Sequence, residues 1–199
     1  MRKNLFDRIS LATLALVLML SMSDCLAGSQ GEPAKVPSRL SSDRAVSGKL
    51  LPQVFTDALT DIKTKTHVPV LLPEELVEPI AKAKHAVVEN ANAKGYTISL
   101  YYKLGIGDAC FAGAFAAQAR PKYKPEELAN VIAVTLTQGL RGFFRGVGCG
   151  GSCAPANLWW EQNGILYQIQ IKLSLSLSEE SQQKAIVKLA DSSIIAGPR

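Results

Sequence analysis

The chain has 199 residues, with 22 Lys+Arg against 17 Asp+Glu and 47% apolar content. That length suits one globular domain with tails and is too short for two full cores. The apolar fraction and moderate charge exclude a mostly disordered chain, and 15 glycines without a repeating period exclude a collagen-like one.

Arg2, Lys3 and Arg8 precede a run from Ile9 to Met22 that is apolar except at Ser10, Thr13 and Ser21. A basic start and an apolar run of this length read as a secretory signal, too short for a membrane span. Cys25-Leu26-Ala27 before Gly28 supplies the small residues of a cleavage site. Residues 1–27 are therefore expected to be removed and the protein to be periplasmic or secreted. A lipid anchor at Cys25 is the alternative, opposed by Asp24, because the residue before a lipidated cysteine is normally small and uncharged. No later stretch approaches the roughly 20 apolar residues of a transmembrane span. Losing three basic and two acidic residues with the signal leaves 19 against 15, a mature net charge of +4. The cations are scattered and interleaved with Glu74, Glu75, Glu126 and Glu127, the pattern of a solvated surface, so no nucleic-acid partner is expected.

Residues 28–50, with Gly28, Gly31, Pro33, Pro37 and Gly48, read as a flexible tether, and residues 51–199 as a single domain. Leu51, Phe55, Ala58, Leu59 and Ile62 recur at helical spacing over Leu51 to Thr64. In Val68-Pro69-Val70-Leu71-Leu72-Pro73 the prolines forbid a central ladder position, which leaves an edge strand or a packed extended segment. The Lys-rich stretch around His85 reads as helical. Tyr96, Ile98, Leu100, Tyr102 and Leu104 alternate with other residues and predict a strand. Cys110 to Ala117, with small residues between Phe111 and Phe115, predicts a second strand packed on both faces. Val131 to Leu136 and Leu140 to Val147 predict a third and a fourth.

Asn163-Gly164 is a type I′ turn signal joining Asn157 to Gln162 with Ile165 to Leu177, whose apolar residues fall on odd numbers. Ser178 then stands as a helix N-cap before Glu179 and Glu180, and Gly197-Pro198 ends the helix. The sum is an α+β fold: an antiparallel sheet of about five or six strands in a β-meander, covered by N- and C-terminal helices.

Gly146, Gly148 and Gly151 match G-x-G-x-x-G, but Pro155 and Trp159-Trp160 follow where the phosphate-binding helix should begin, so no nucleotide is expected. With only His67 and His85 in the chain, neither a serine nucleophile at Ser152 nor a metal site finds its partners. No catalytic residue, metal or cofactor is assigned. Three cysteines remain after signal removal. Cys149 and Cys153 enclose three small residues and can close a local disulfide, leaving Cys110 as a buried thiol; the competing scheme ties Cys110 to one of them. The spacing is not the C-x-x-C of thiol oxidoreductases. Trp159 and Trp160 are adjacent on a strand and must point to opposite faces, one into the core and one outward. The outward indole, with Arg145 and the glycine loop up to Ser152, forms the candidate contact surface; the alternative is that a second layer, a helix or the proline segment, covers it.

Val68 to Pro73, the Cys149 to Cys153 loop, Trp160-x3-Gly164-x2-Tyr167 and a terminal helix with Ala190-Asp191-Ser192 together resemble a group of uncharacterised exported bacterial proteins. The resemblance covers about two-thirds of the chain, implies the fold and a bacterial envelope location, and brings no activity with it. The reading is a non-enzymatic envelope module that binds an envelope protein or cell-wall component, or serves a structural role there. The alternative is a small envelope enzyme or thiol protein using the loop at residues 146–153. Intact mass of protein recovered from the envelope is expected to place the mature N-terminus near Gly28 without lipid; an acylated N-terminus at Cys25 would overturn this.

Overall fold

The computed structural model describes residues 51–199 apart from Ile106, Lys122 and Gly151; the expected signal, the Cys25 site and the tether lie outside the described residues. A short helix α1 (Thr56–Lys63) precedes strands β1 (His85–Asn92), β2 (Gly95–Tyr101), β3 (Phe111–Ala119), β4 (Ile132–Thr135) and β5 (Arg141–Arg145). A small ribbon of β6 (Gly148–Cys149) and β7 (Cys153–Ala154) follows, then β8 (Ala156–Gln162), β9 (Ile165–Ile171) and helix α2 (Glu179–Ala196). The main sheet has seven strands in the order β1-β2-β3-β9-β8-β5-β4, and its pairs are antiparallel, so the fold is α+β. Among the described residues no helix is long and apolar enough to cross a membrane.

The sheet is wider than the five or six strands expected because the stretch around His85 is a strand, not a helix. Its lysines lie ahead of it, Lys82 in a 3-10 turn and Lys84 just after. Val87 and Val88 are β-branched and suit a pleated strand. Asn92 Oδ1 accepts from the Lys94 N–H at 2.9 Å, which closes the turn into β2.

Nor is the sheet a simple meander. Four antiparallel steps separate β3 from β4, so the two point the same way. Residues 120–131 must therefore cross β9, β8 and β5 and return along the length of the sheet.

Directly paired residues share a face, and Ile98, Phe115, Ile169, Leu158 and Phe144 form one buried row across five strands. Helix α2 lies over β8 and β9 with Ile186, Leu189, Ala190 and Ile194 buried. Phe55, just before α1, meets Phe115 edge to face at 5.3 Å. The Ser178 side chain caps α2 by accepting from the Ser181 N–H, and Gly197 takes a φ of 68° at its end. Asn163 and Gly164 have φ of 55° and 73°, as the hairpin turn requires. Strand β9 ends at Ile171, opposite the first residue of β8, short of the expected Leu177. Leu173 is still buried, but Leu175 is 63% exposed, because alternation without a partner strand does not hold a row in the core.

Val68 to Pro73 is a packed extended segment outside the sheet. The Leu71 N–H donates to Tyr96 Oη at 3.1 Å, and Tyr167 Oη donates to the Pro69 carbonyl at 3.2 Å. Burial pushes both phenols upward, Tyr167 to about 12, so both stay neutral in the fold. Above the ordinary tyrosine value of about 10 the unfolded chain releases protons that the folded one keeps, so stability falls as pH rises. Denaturant melts are expected to give constant stability from these groups up to pH about 10 and a loss between about 10 and about 12. Tyr96→Phe, which strands the Leu71 N–H, is expected to cost about 1–3 kcal/mol at neutral pH. Equal stability of the variant and the parent would remove this hydrogen bond from the account.

Candidate functional site on the second face of the sheet

The face of the sheet turned away from α2 buries polar residues, Ser99 and Asn157, beside apolar ones, Ala114, Trp159 and Leu166. Its cross-strand rows read Thr97, Ala116, Gln168, Trp159, Phe143 and Ser99, Ala114, Gln170, Asn157, Arg145. Asn157 is 1% exposed and sits at the centre. Its Oδ1 accepts from Gln168 Nε2 at 2.7 Å and Gln170 Nε2 at 2.8 Å, while its Nδ2 donates to the Pro155 carbonyl at 2.8 Å. A buried amide bonded at both ends holds its neighbours in fixed rotamers.

Trp160 faces the core and stacks on Tyr167, ring centres 5.3 Å apart. Trp159 is on the opposite face, as strand geometry requires, and the Arg145 guanidinium lies over its ring at 5.4 Å. The expectation that one indole stands open on the surface is overturned, because both are 2% exposed. Trp159 is on β8, an interior strand flanked by β9 and β5, and the Arg145 guanidinium already covers its ring. The crossover reaches this face at Tyr123, which lines a cleft together with Gln168 and Thr97. Both indole N–H groups are buried without a hydrogen-bond partner among the described residues, so the rings contribute apolar contact.

The cleft itself measures about 240 Å³. Asn90 and Thr97 contribute from β1 and β2, Gln118 from β3, Leu166 and Gln168 from β9, and Tyr123 from the crossover. Gly95 allows β2 to approach β3 here, because a Cβ at this position would lie 2.4 Å from the Ala117 carbonyl oxygen. A wider groove of about 570 Å³ runs between Glu74 and α2, and Lys184 and Lys188 in its wall are exposed.

Cys149 and Cys153 are directly paired across the ribbon and form a disulfide. The ribbon is exposed at Gly148, Cys149, Gly150, Ser152, Cys153 and Ala154. Its base is not free: the Val147 N–H donates to Gln182 Oε1 and Gln182 Nε2 to the Leu177 carbonyl, both at 2.9 Å, and Gln182 is buried. Cys110 is fully buried at the entrance to β3 but is disulfide-bonded, which overturns the buried free thiol. His67 is exposed, and His85 begins β1. Among the described residues no group of three or more His, Cys, Asp or Glu is placed to hold a metal ion.

Sequence reasoning missed Asn157, Gln168 and Gln170. For the two glutamines the signal was there, since they alternate with the apolar row of β9, but that alternation alone assigns them no role. Asn157→Ala, which strands two glutamine donors, is expected to lower stability by about 1–3 kcal/mol in urea melts. The double change Cys149→Ser and Cys153→Ser opens only a three-residue loop and is expected to cost less than Asn157→Ala. A larger loss from opening the ribbon would show that the fold leans on the disulfide instead. No family model, curated protein or solved structure matches the chain.

Proposed function

We propose that this chain is a non-enzymatic binding module of the bacterial envelope, exported by residues 1–27 and working in the periplasm or outside the cell. The observation that carries the reading is the cleft on the second face. Its described lining offers amides, hydroxyls, two tyrosines and one cation, Lys94, with no carboxylate, histidine or thiol. Such a set holds a ligand by contact and hydrogen bonds without the groups that acid–base catalysis most often uses. The exposed Cys149–Cys153 disulfide supports an oxidising compartment. The partner class in that location is an envelope protein or a cell-wall component. Arg145 and the ribbon remain part of the proposed contact surface, whereas Trp159 and Trp160 act from below it.

The protein is expected to cosediment with isolated cell-envelope fragments to saturation and to be recovered with the fragments chemically unchanged. Absence of saturable retention would remove the binding role. Turnover of envelope material, or rapid thiol exchange at Cys149–Cys153, would favour a small enzyme or thiol protein built on residues 146–153.

A further inference from the structure

We infer that the cleft binds N-acetylated sugar units of a glycan, with the Tyr123 ring against a pyranose face and the surrounding amides on the acetamido and hydroxyl groups. The inference rests on the binding-module reading above and names its ligand class. Size is the first argument. At about 240 Å³ the cleft is smaller than the roughly 300–1,000 Å³ of a drug-sized pocket, with room for one sugar ring. The hollow exists because two residues with almost no side chain floor it: Gly95 between Asn92 and Gln118, and Ala116 between Thr97 and Gln168.

Polarity is the second. Each carboxamide presents a donor and an acceptor, which matches a sugar hydroxyl, itself both, and an acetamido group, which carries one N–H and one carbonyl. Two of these amides are fixed in advance. Gln168 Nε2 is committed to Asn157 at 2.7 Å, leaving its carbonyl oxygen as the acceptor for a ligand. Asn92, also in the lining, accepts from the Lys94 N–H through Oδ1 and donates through Nδ2 to Asn90 Oδ1 at 3.2 Å. Side chains already ordered lose little entropy on binding.

Tyr123 is the third argument. It is 41% exposed, a large ring held at the mouth of a polar cleft, where its apolar face and hydroxyl can both be used. Competing ligands fit less well. A nucleic acid strand needs a cationic groove and repeated stacking rings, and the described lining has one lysine. A peptide added as a strand needs an open sheet edge, and this cleft lies on a face.

The test is titration of the protein, as recovered from the envelope, with tri-N-acetylchitotriose, followed by calorimetry and by amide chemical shifts. Saturable binding is expected, with weaker binding of maltotriose, which has similar rings and no acetamido groups. Tyr123→Ala and Gln118→Ala are expected to weaken the trisaccharide about tenfold each, and Tyr123→Phe to keep it within about twofold. Both positions are exposed, so melting temperatures are expected to stay at the parent value. Absence of trisaccharide binding, or binding indifferent to both alanine changes, overturns the inference. If purified sacculi retain the protein and the trisaccharide neither binds nor releases it, the ligand class falls and the envelope-binding reading stands. If sacculi and envelope fragments both fail to retain it, both readings fall.

Discussion

Val68, Val70, Leu71 and Leu72 are all buried, so the backbone between them must find its hydrogen bonds inside the protein. Among the described residues no neighbouring strand supplies a ladder beyond the isolated bridge of Leu71 with Pro198. The partners come instead from every layer of the fold. Tyr96 on β2 accepts from Leu71, and Tyr167 on β9 donates to Pro69. The Arg199 N–H donates to the Val70 carbonyl at 3.0 Å, and its guanidinium reaches the Leu72 carbonyl at 3.2 Å. The Glu74 N–H, just past the segment, donates to Ser192 Oγ on α2 at 3.0 Å. Pro69 and Pro73 help by subtraction, since neither has an N–H to satisfy. The segment thus ties the sheet, α2 and the last residue of the chain into one core, and the two phenols stay protonated because they are buried in doing so.

The second face solves a different problem. A sheet whose β3 and β4 run the same way needs a crossover, and here that crossover is an irregular segment with one 3-10 turn, Pro125–Glu127. An irregular strap cannot seal a face as a helix does. The side chains on that face are accordingly mixed: Trp159 and Leu166 are buried as apolar contacts, and Asn157 is buried with its oxygen bonded to two half-buried glutamines. Where the strap leaves room, the same face opens into the cleft.

What could be read from the sequence was local. Asn163-Gly164 fixed a hairpin because both turn residues need positive φ, and Ser178, the Glu pair and Gly197 marked the ends of α2 by capping chemistry that acts within a few residues. What could not be read was set by distant chain. Whether Trp159 is open depends on β8 lying inside the sheet and on Arg145 from β5 lying over the ring, and no periodicity around Trp159 encodes that. The His85 stretch carries a weak strand pattern, and its pairing with β2 decides it. The cleft was missed for the same reason, since its walls come from four strands and the crossover. Leu175 and Leu177 continued the alternation of β9 in sequence after its partner had ended, so pattern alone overran the strand.

The ribbon illustrates how little of its position the disulfide has to set. Cys149–Cys153 closes the tip, a loop of three residues whose closure entropy is small. The two roots are held by buried amides: Val147 at one root bonds to Gln182, and Pro155 at the other bonds to Asn157. The Asn157 oxygen also receives Gln168, which lines the cleft. One side chain therefore bonds at one end to the root of the exposed ribbon and at the other to a wall of the cleft. A change at Asn157 must reach both, while a change at the tip need not reach either.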